Sequence, residues 1–194
     1  MAGKVCPVWV GYLLASPLRK LSANPGKILG PYIAKGMRVL DIGCAMGFFS
    51  LPLAQMVGSK GEVICVDVQE KMIRSLEKRA QKAGLSRRIE TRICHENSWG
   101  LDDLKEEIDF VLASAVVHEI PDASGFFLKM YEIMKPTGRL LVIEPKGHVS
   151  EGDFDVTVSL ARENGFKVIE RPRIARSRVV VLGKDKDAYG KLQP

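Results

Sequence analysis

Two acids on either side of a glycine turn give this chain its first recognisable chemistry. The stretch from Val39 to Leu51, VLDIGCAMGFFSL, sets Asp41 at the end of a short apolar strand, glycines at 43 and 47, and Ala45 between them. A turn with few side chains lets a ligand lie against bare backbone, and the first free N–H groups of a following helix favour a carboxylate. Asp67, 20 residues past Gly47, lies near the end of a second apolar run, EVICVDV. That distance allows one crossover helix and brings a carboxylate beside the turn, where it can accept both hydroxyls of a ribose. A third group, His118, lies just past the apolar run IDFVLASAVV, at the end where open α/β sheets bind ligands. Imidazole ordinarily titrates near neutrality, so His118 is a candidate general base, with Glu119 either orienting it or serving as the base itself. A histidine that merely caps the loop fits the same position. His148, with Glu144 and Lys146, comes off the next strand and is a second candidate.

A dinucleotide fingerprint would require glycines at 43, 45 and 48, but positions 45 and 48 hold Ala and Phe. The spacing Asp41, Gly43, Ala45, Gly47 instead resembles motif I of the class I S-adenosylmethionine (SAM) methyltransferases, Asp-x-Gly-x-Gly-x-Gly, with one glycine replaced. The segment from Lys135 to Pro145, KPTGRLLVIEP, resembles the family's entry to and exit from its fifth strand. His118 to Asp122, HEIPD, and the LKPTG-like wording are most similar to the small-molecule branch that includes ubiquinone and menaquinone methyltransferases. In all, the resemblance spans about residues 25 to 185.

It implies SAM as cofactor, with a binding set of Asp41, Gly43, Cys44, Ala45, Gly47, Asp67, Val68, Gln69, Glu96, Asn97 and Ser114. Val68 and Gln69 would border the adenine, and Glu96 or Asn97 would reach its amino group. His118 and Glu119 are the catalytic candidates. Ala45 is the departure from the pattern: its methyl group would crowd the methionine arm or require a negative backbone φ. Methyl transfer asks little else of the protein, because the sulfonium is already activated; an acceptor must be held in line and its proton removed.

The elements that would position these residues alternate along the chain. Helices are expected over Pro25 to Lys35, after Phe48, over Lys71 to Ala83, around Phe126 to Met134, and after Ser150, which has Asp153 three residues on as a capping partner. Strands are expected at Val39 to Ile42, Glu62 to Val68, Arg88 to Cys94, Ile108 to Val117, Arg139 to Ile143, Phe166 to Arg171 and Arg178 to Leu182. The last two are joined by about six residues, too few for a parallel crossover, so they must be antiparallel. The expected fold is a doubly wound α/β, seven-stranded, mostly parallel sheet of the Rossmann-like methyltransferase type, with an antiparallel last strand. One domain is expected over residues 1–194, with a helical cap at 1–35, a SAM-binding core at 36–185 and a tail at 186–194.

Composition bounds the reading further. The chain has 194 residues, is 46% hydrophobic and 27% charged, and fits one ordinary globular domain. Its four cysteines are widely spaced and form no metal-like group with the three histidines, so a reducing cytosol and no metal centre are expected. No stretch has the twenty or so apolar residues that a membrane span needs. The net charge of +6 gathers at the ends: residues 1–40 hold six bases and no acid, and residues 162–194 hold nine bases and four acids. Such ends suit an anionic substrate, RNA or a lipid surface, though a solvated basic surface is the simpler reading. Amino methylation of nucleic-acid bases is disfavoured, because Ser114, Ala115, Val116 and Val117 stand where its Asn/Asp-Pro-Pro-aromatic turn would be. Cytosine C5 methylation is disfavoured because Cys6-Pro7 is reversed and misplaced. A run of arginines at 171, 173, 176 and 178 remains, able to hold phosphate or carboxylate. The resemblance to the small-molecule branch implies a small-molecule acceptor. The alternatives are an RNA or protein methyltransferase, or a non-catalytic SAM-binding or scaffold domain; the sequence does not define an oligomeric state.

Ahead of the first strand, Trp9, Tyr12, Leu13 and Leu14 make an apolar stretch that must pack on something, and we expect it to cap the acceptor side and exclude water. Deleting residues 1–20 should leave folding and SAM binding intact while abolishing turnover. A large fall in melting temperature would assign the stretch to the core, and loss of liposome binding would assign it to a membrane surface.

Overall fold

The computed structural model describes residues 24–94 and 98–185. The apolar and aromatic stretch at residues 9–14 and the tail at 186–194 lie outside the described residues. Seven strands form a sheet in the order β3-β2-β1-β4-β5-β7-β6. The described chain falls into two compact units, one up to Asp103 and the other from Leu104.

In the first unit the elements are α1 (Pro25–Leu29), β1 (Arg38–Ile42), α2 (Ser50–Met56), β2 (Glu62–Asp67), α3 (Glu70–Lys82) and β3 (Ile89–Ile93). β2 is parallel to both β1 and β3. Its residues Val63, Ile64, Cys65 and Val66 are completely buried, as a strand covered on both faces requires. α3 buries Met72, Ile73, Leu76 and Ala80 along one stripe, with Gly84 beyond its end at φ +68°. Each of the larger three side chains contributes about 1.5–3 kcal/mol by leaving water.

α1 is shorter than its apolar spacing predicts. Asn24 caps its start by accepting the N–H groups of Gly26 and Lys27, but the helix ends at Leu29 and not near Lys35. Pro31 has no N–H to close on the Lys27 carbonyl, which interrupts the ladder.

The second unit contains β4 (Ile108–Ser114), α4 (Ala123–Ile133), β5 (Met134–Pro145), α5 (Glu151–Glu163), β6 (Phe166–Glu170) and β7 (Ser177–Lys184). β4 and β5 are parallel, and β7 runs antiparallel to both β5 and β6, as the short connection before it requires. Ser150 and Asp153 form a reciprocal capping box at the start of α5.

Two boundaries differ from the sequence expectation. β4 ends at Ser114 and not at Val117, because Ala115 takes a left-handed φ of +56° and Val117–Glu119 coils into a 3₁₀ turn. β5 begins at Met134, before the KPTG segment and not after it. Met134 already pairs with Ile108, and the next pairing is Phe110 with Arg139, so residues 135–138 bulge out of the ladder. Gly138 makes this close approach feasible, since a Cβ there would lie 3.0 Å from the carbonyl oxygens of both Ile108 and Lys135.

Candidate functional site

In the first unit the turn after β1 is built on alternating left-handed residues: Gly43 at φ +69°, Ala45 at +46° and Gly47 at +82°. Of the two alternatives for Ala45, the negative φ is not what the chain adopts. An L-residue in this conformation costs about 1–2 kcal/mol, and something must hold it. The holder is Asp67. Its Oδ2 accepts the Ala45 N–H at 2.9 Å and its Oδ1 accepts the Gln69 N–H at 2.8 Å. The N–H groups of Gly43 and Cys44 close on the Val66 carbonyl, at 2.9 and 3.1 Å. Arg79 of α3 donates to the Met46 carbonyl, and a Cβ on Gly47 would run into Leu76 of the same helix.

Asp41 lies beneath this turn, 2% exposed, and accepts the Ser50 hydroxyl at 2.6 Å. Burial pushes its carboxyl up to about 7, the negative charge of Asp67 adds to the rise, and the Ser50 hydroxyl opposes it. Burial likewise raises Asp67, against the pull of its backbone donors. The Cys44 thiol is buried and raised well above its ordinary value, first by burial and then by Cys65, so its backbone is what the turn offers a ligand. Val68 is 52% exposed and Gln69 half-buried, just past the end of β2. Glu96 and Asn97 lie outside the described residues.

These residues suit a cationic nucleoside. Neither Asp41 nor Asp67 forms an ion pair with a base among the described residues. A carboxylate has about four lone-pair sites, so Asp67 keeps acceptor capacity beyond its backbone donors.

In the second unit Ser114 ends β4, half-buried, in register with Ile143. His118, in the 3₁₀ turn, places its Nδ1 2.6 Å from Oε2 of Glu144, the penultimate residue of β5. The other oxygen of Glu144 accepts the N–H groups of Val117 and His118, at 2.9 and 3.3 Å. Glu144 is 1% exposed, and burial pushes its carboxyl up against the opposing pull of His118. In the tautomer with its hydrogen on Nδ1, the ring would donate to Oε2 and present the Nε2 lone pair. The ring of His148 lies 5.8 Å from that of His118, edge to face. Glu119 follows His118 in the same 3₁₀ turn.

Sequence reasoning missed Ser50 as the partner of Asp41 and Glu144 as the partner of His118. The signal for Glu144 was its place at the C-terminal end of a parallel strand, where such sheets gather their functional groups. Nothing in the local sequence marks Ser50.

A glycine turn after the first strand, an acid closing the second and a reversed last strand define the class I SAM-dependent methyltransferase fold. A family model described as "Methyltransferase domain" matches residues 33–184, and the chain belongs to that family. It is similar to the demethylmenaquinone methyltransferase of Geobacillus kaustophilus, with 28% identity over 112 residues, covering 58% of this chain and 47% of that protein. Its similarity to the ubiquinone/menaquinone biosynthesis C-methyltransferase of Pasteurella multocida is 29% over 112 residues, covering 58% of this chain and 41% of the other. The chain thus spans about half the length of the curated relatives it matches. A SAM-dependent methyltransferase from Aquifex aeolicus superposes with a TM-score of 0.80 at 25% identity, over 92% of this chain and 98% of that one.

Two predictions follow the turn. Ala45→Gly should raise unfolding free energy by about 1 kcal/mol in chemical denaturation, because glycine meets no steric penalty at a left-handed φ and keeps the N–H that Asp67 accepts. An unchanged or lower stability would contradict the assigned turn. Asp41 titrates near 7 in the folded protein and near 3.8 otherwise, so the folded state holds an extra proton between these values. Its contribution is complete below about pH 4 and lost as pH rises through 7. Between pH 5 and 8 the wild type should lose roughly 2–3 kcal/mol relative to Asp41→Asn, which stays uncharged throughout.

Proposed function

We propose that this protein transfers a methyl group from SAM to a small-molecule acceptor, with His118 as general base. The observation that carries the reading is the pair of buried acids around the left-handed turn, neither of which forms an ion pair with a base among the described residues. SAM would supply an electrophilic methyl on a sulfonium. Asp67 would take the ribose hydroxyls, Val68 and Gln69 would border the adenine, and the backbone of residues 43–47 would pass the methionine arm. Asp41 would meet the ammonium from beneath, directly or through water.

On the acceptor side Glu144 fixes the His118 ring through Nδ1 and leaves Nε2 to remove the acceptor's proton as the new bond to carbon forms. The likeness to demethylmenaquinone and ubiquinone/menaquinone biosynthesis methyltransferases supports a small-molecule acceptor over a macromolecular one. His148, edge to face with His118, would form part of the same wall.

Asp67→Asn should weaken SAM binding by about 1.5–3 kcal/mol in calorimetry, the worth of hydrogen bonds to a charged group. His118→Ala should leave that affinity unchanged and lower the rate of S-adenosylhomocysteine formation by about 10²–10⁴. Full affinity in a folded Asp67→Asn protein would remove the acid from the site. A full rate in His118→Ala would remove the base.

A further inference from the structure

The second unit carries a cleft that the methyl-donor and general-base assignments leave unused. It has a volume of about 180 Å³ and is lined by Lys146, Arg171, Ser177 and Arg178, with Glu151 and Asp155 among its walls. We propose that this cleft binds an anionic group, a carboxylate or a phosphate, carried by the methyl acceptor. The proposal rests on the methyltransferase reading above and adds the acceptor's chemical class to it.

The donors in the cleft are poorly used within the protein. Arg171 lies over the Phe154 ring, 6.0 Å from its centroid, which holds the guanidinium in place while leaving its N–H edge available. Its nearest acid is Asp155, at 3.6 Å, beyond hydrogen-bond reach. Arg178 spends its Nε–H on the Val149 carbonyl at 3.0 Å, and its terminal amino group stands 3.7 Å from Glu151. Lys146 makes no side-chain hydrogen bond or ion pair among the described residues. Asp155 and Glu151 have side chains 61% and 84% exposed, so either can turn to water at little cost when a better acceptor enters. A guanidinium edge matches a carboxylate or phosphate in a bidentate fork, and two such edges with an ammonium recognise an oxyanion.

The backbone connects this cleft to the imidazoles. Lys146, whose N–H bonds the Arg176 carbonyl at 3.0 Å, opens the turn after β5, and His148 follows two residues later. Arg178 holds the same turn through Val149. Arg176 itself adopts a left-handed φ of +58°, a strained conformation of the kind that collects at ligand sites. An acceptor anchored by its anion in the cleft would have its remaining atoms led along this turn toward His148, and His148 touches His118.

The test is calorimetric titration of the full chain at low salt with phenyl phosphate and, separately, benzoate. Saturable binding of at least one is expected; its choice tells phosphate from carboxylate. Arg171→Gln should weaken that binding at least fivefold, and Asp155→Asn, which removes a competing acid, should tighten it about threefold or more. Lys60→Gln, which makes the same charge change as Arg171→Gln on the other unit, should leave it unaltered. SAM titrations in parallel should be the same in all four proteins; failure of the wild type to bind SAM, with probe binding intact, would count against the cofactor reading and leave the cleft standing. Absence of saturable binding by either probe would overturn the proposal, as would equal effects of Lys60→Gln and Arg171→Gln. Tighter binding of a single-stranded RNA, with a salt dependence of several released counterions, would overturn it in favour of a nucleic-acid face.

Discussion

A single carboxylate, that of Asp67, holds the loop after β1 to the end of β2. By accepting the N–H groups of Ala45 and Gln69 it joins two segments 24 residues apart in the chain and supports a left-handed alanine that local preference would not choose. The rest of the turn is arranged around this bridge. Gly43 and Cys44 bond the strand backbone, Arg79 reaches in from α3, and Leu76 fills the volume that a side chain at position 47 would need. Burying an acid here costs several kcal/mol unless its oxygens are satisfied, and charged hydrogen bonds to backbone offset part of that cost. The residual tension appears as raised carboxyls on both Asp67 and Asp41.

The second unit applies the same principle to a different end. Glu144 also ends a parallel strand, is also buried, and also accepts two backbone N–H groups, here from the turn that follows β4. Its remaining lone pairs face an imidazole in place of a backbone amide. In each case the backbone donors immobilise the acid, so what is left of its hydrogen-bonding capacity has a fixed direction. Fixed direction is what a site requires, because a freely rotating carboxylate would give up much of its interaction energy as lost rotamer entropy.

Most of the fold was legible because it rests on local rules. Uninterrupted runs such as Val63 to Val66 can only be strands covered on both sides, the Ser150 and Asp153 pair marks a helix start, and the short link before Ser177 forces a reversed strand. The expectations that failed depended on partners distant in sequence or on a single residue's backbone. Pro31 cut α1 short, pairing of Met134 with Ile108 drew the KPTG segment into β5, and Ala115 turned the chain out of β4 early. In the candidate site, the placement of Asp41 and Asp67 around the turn could be read from spacing. The partners could not: Ser50 meets Asp41 only because strand, turn and helix fold back together, and Glu144 meets His118 only through strand alignment.

The left-handed alanine also bears on how this chain can change. Every alanine codon becomes a glycine codon by one substitution at its second base, so the residue that relieves the backbone at position 45 is a single mutation away. A protein needs only enough stability to stay folded at its working temperature, and strain of this size can persist below that threshold without penalty. Under selection for heat resistance, or after a damaging core mutation elsewhere, position 45 is a place where compensation is within immediate genetic reach. It requires no second change, because the amide that Asp67 accepts belongs to the backbone and is present whichever residue stands there.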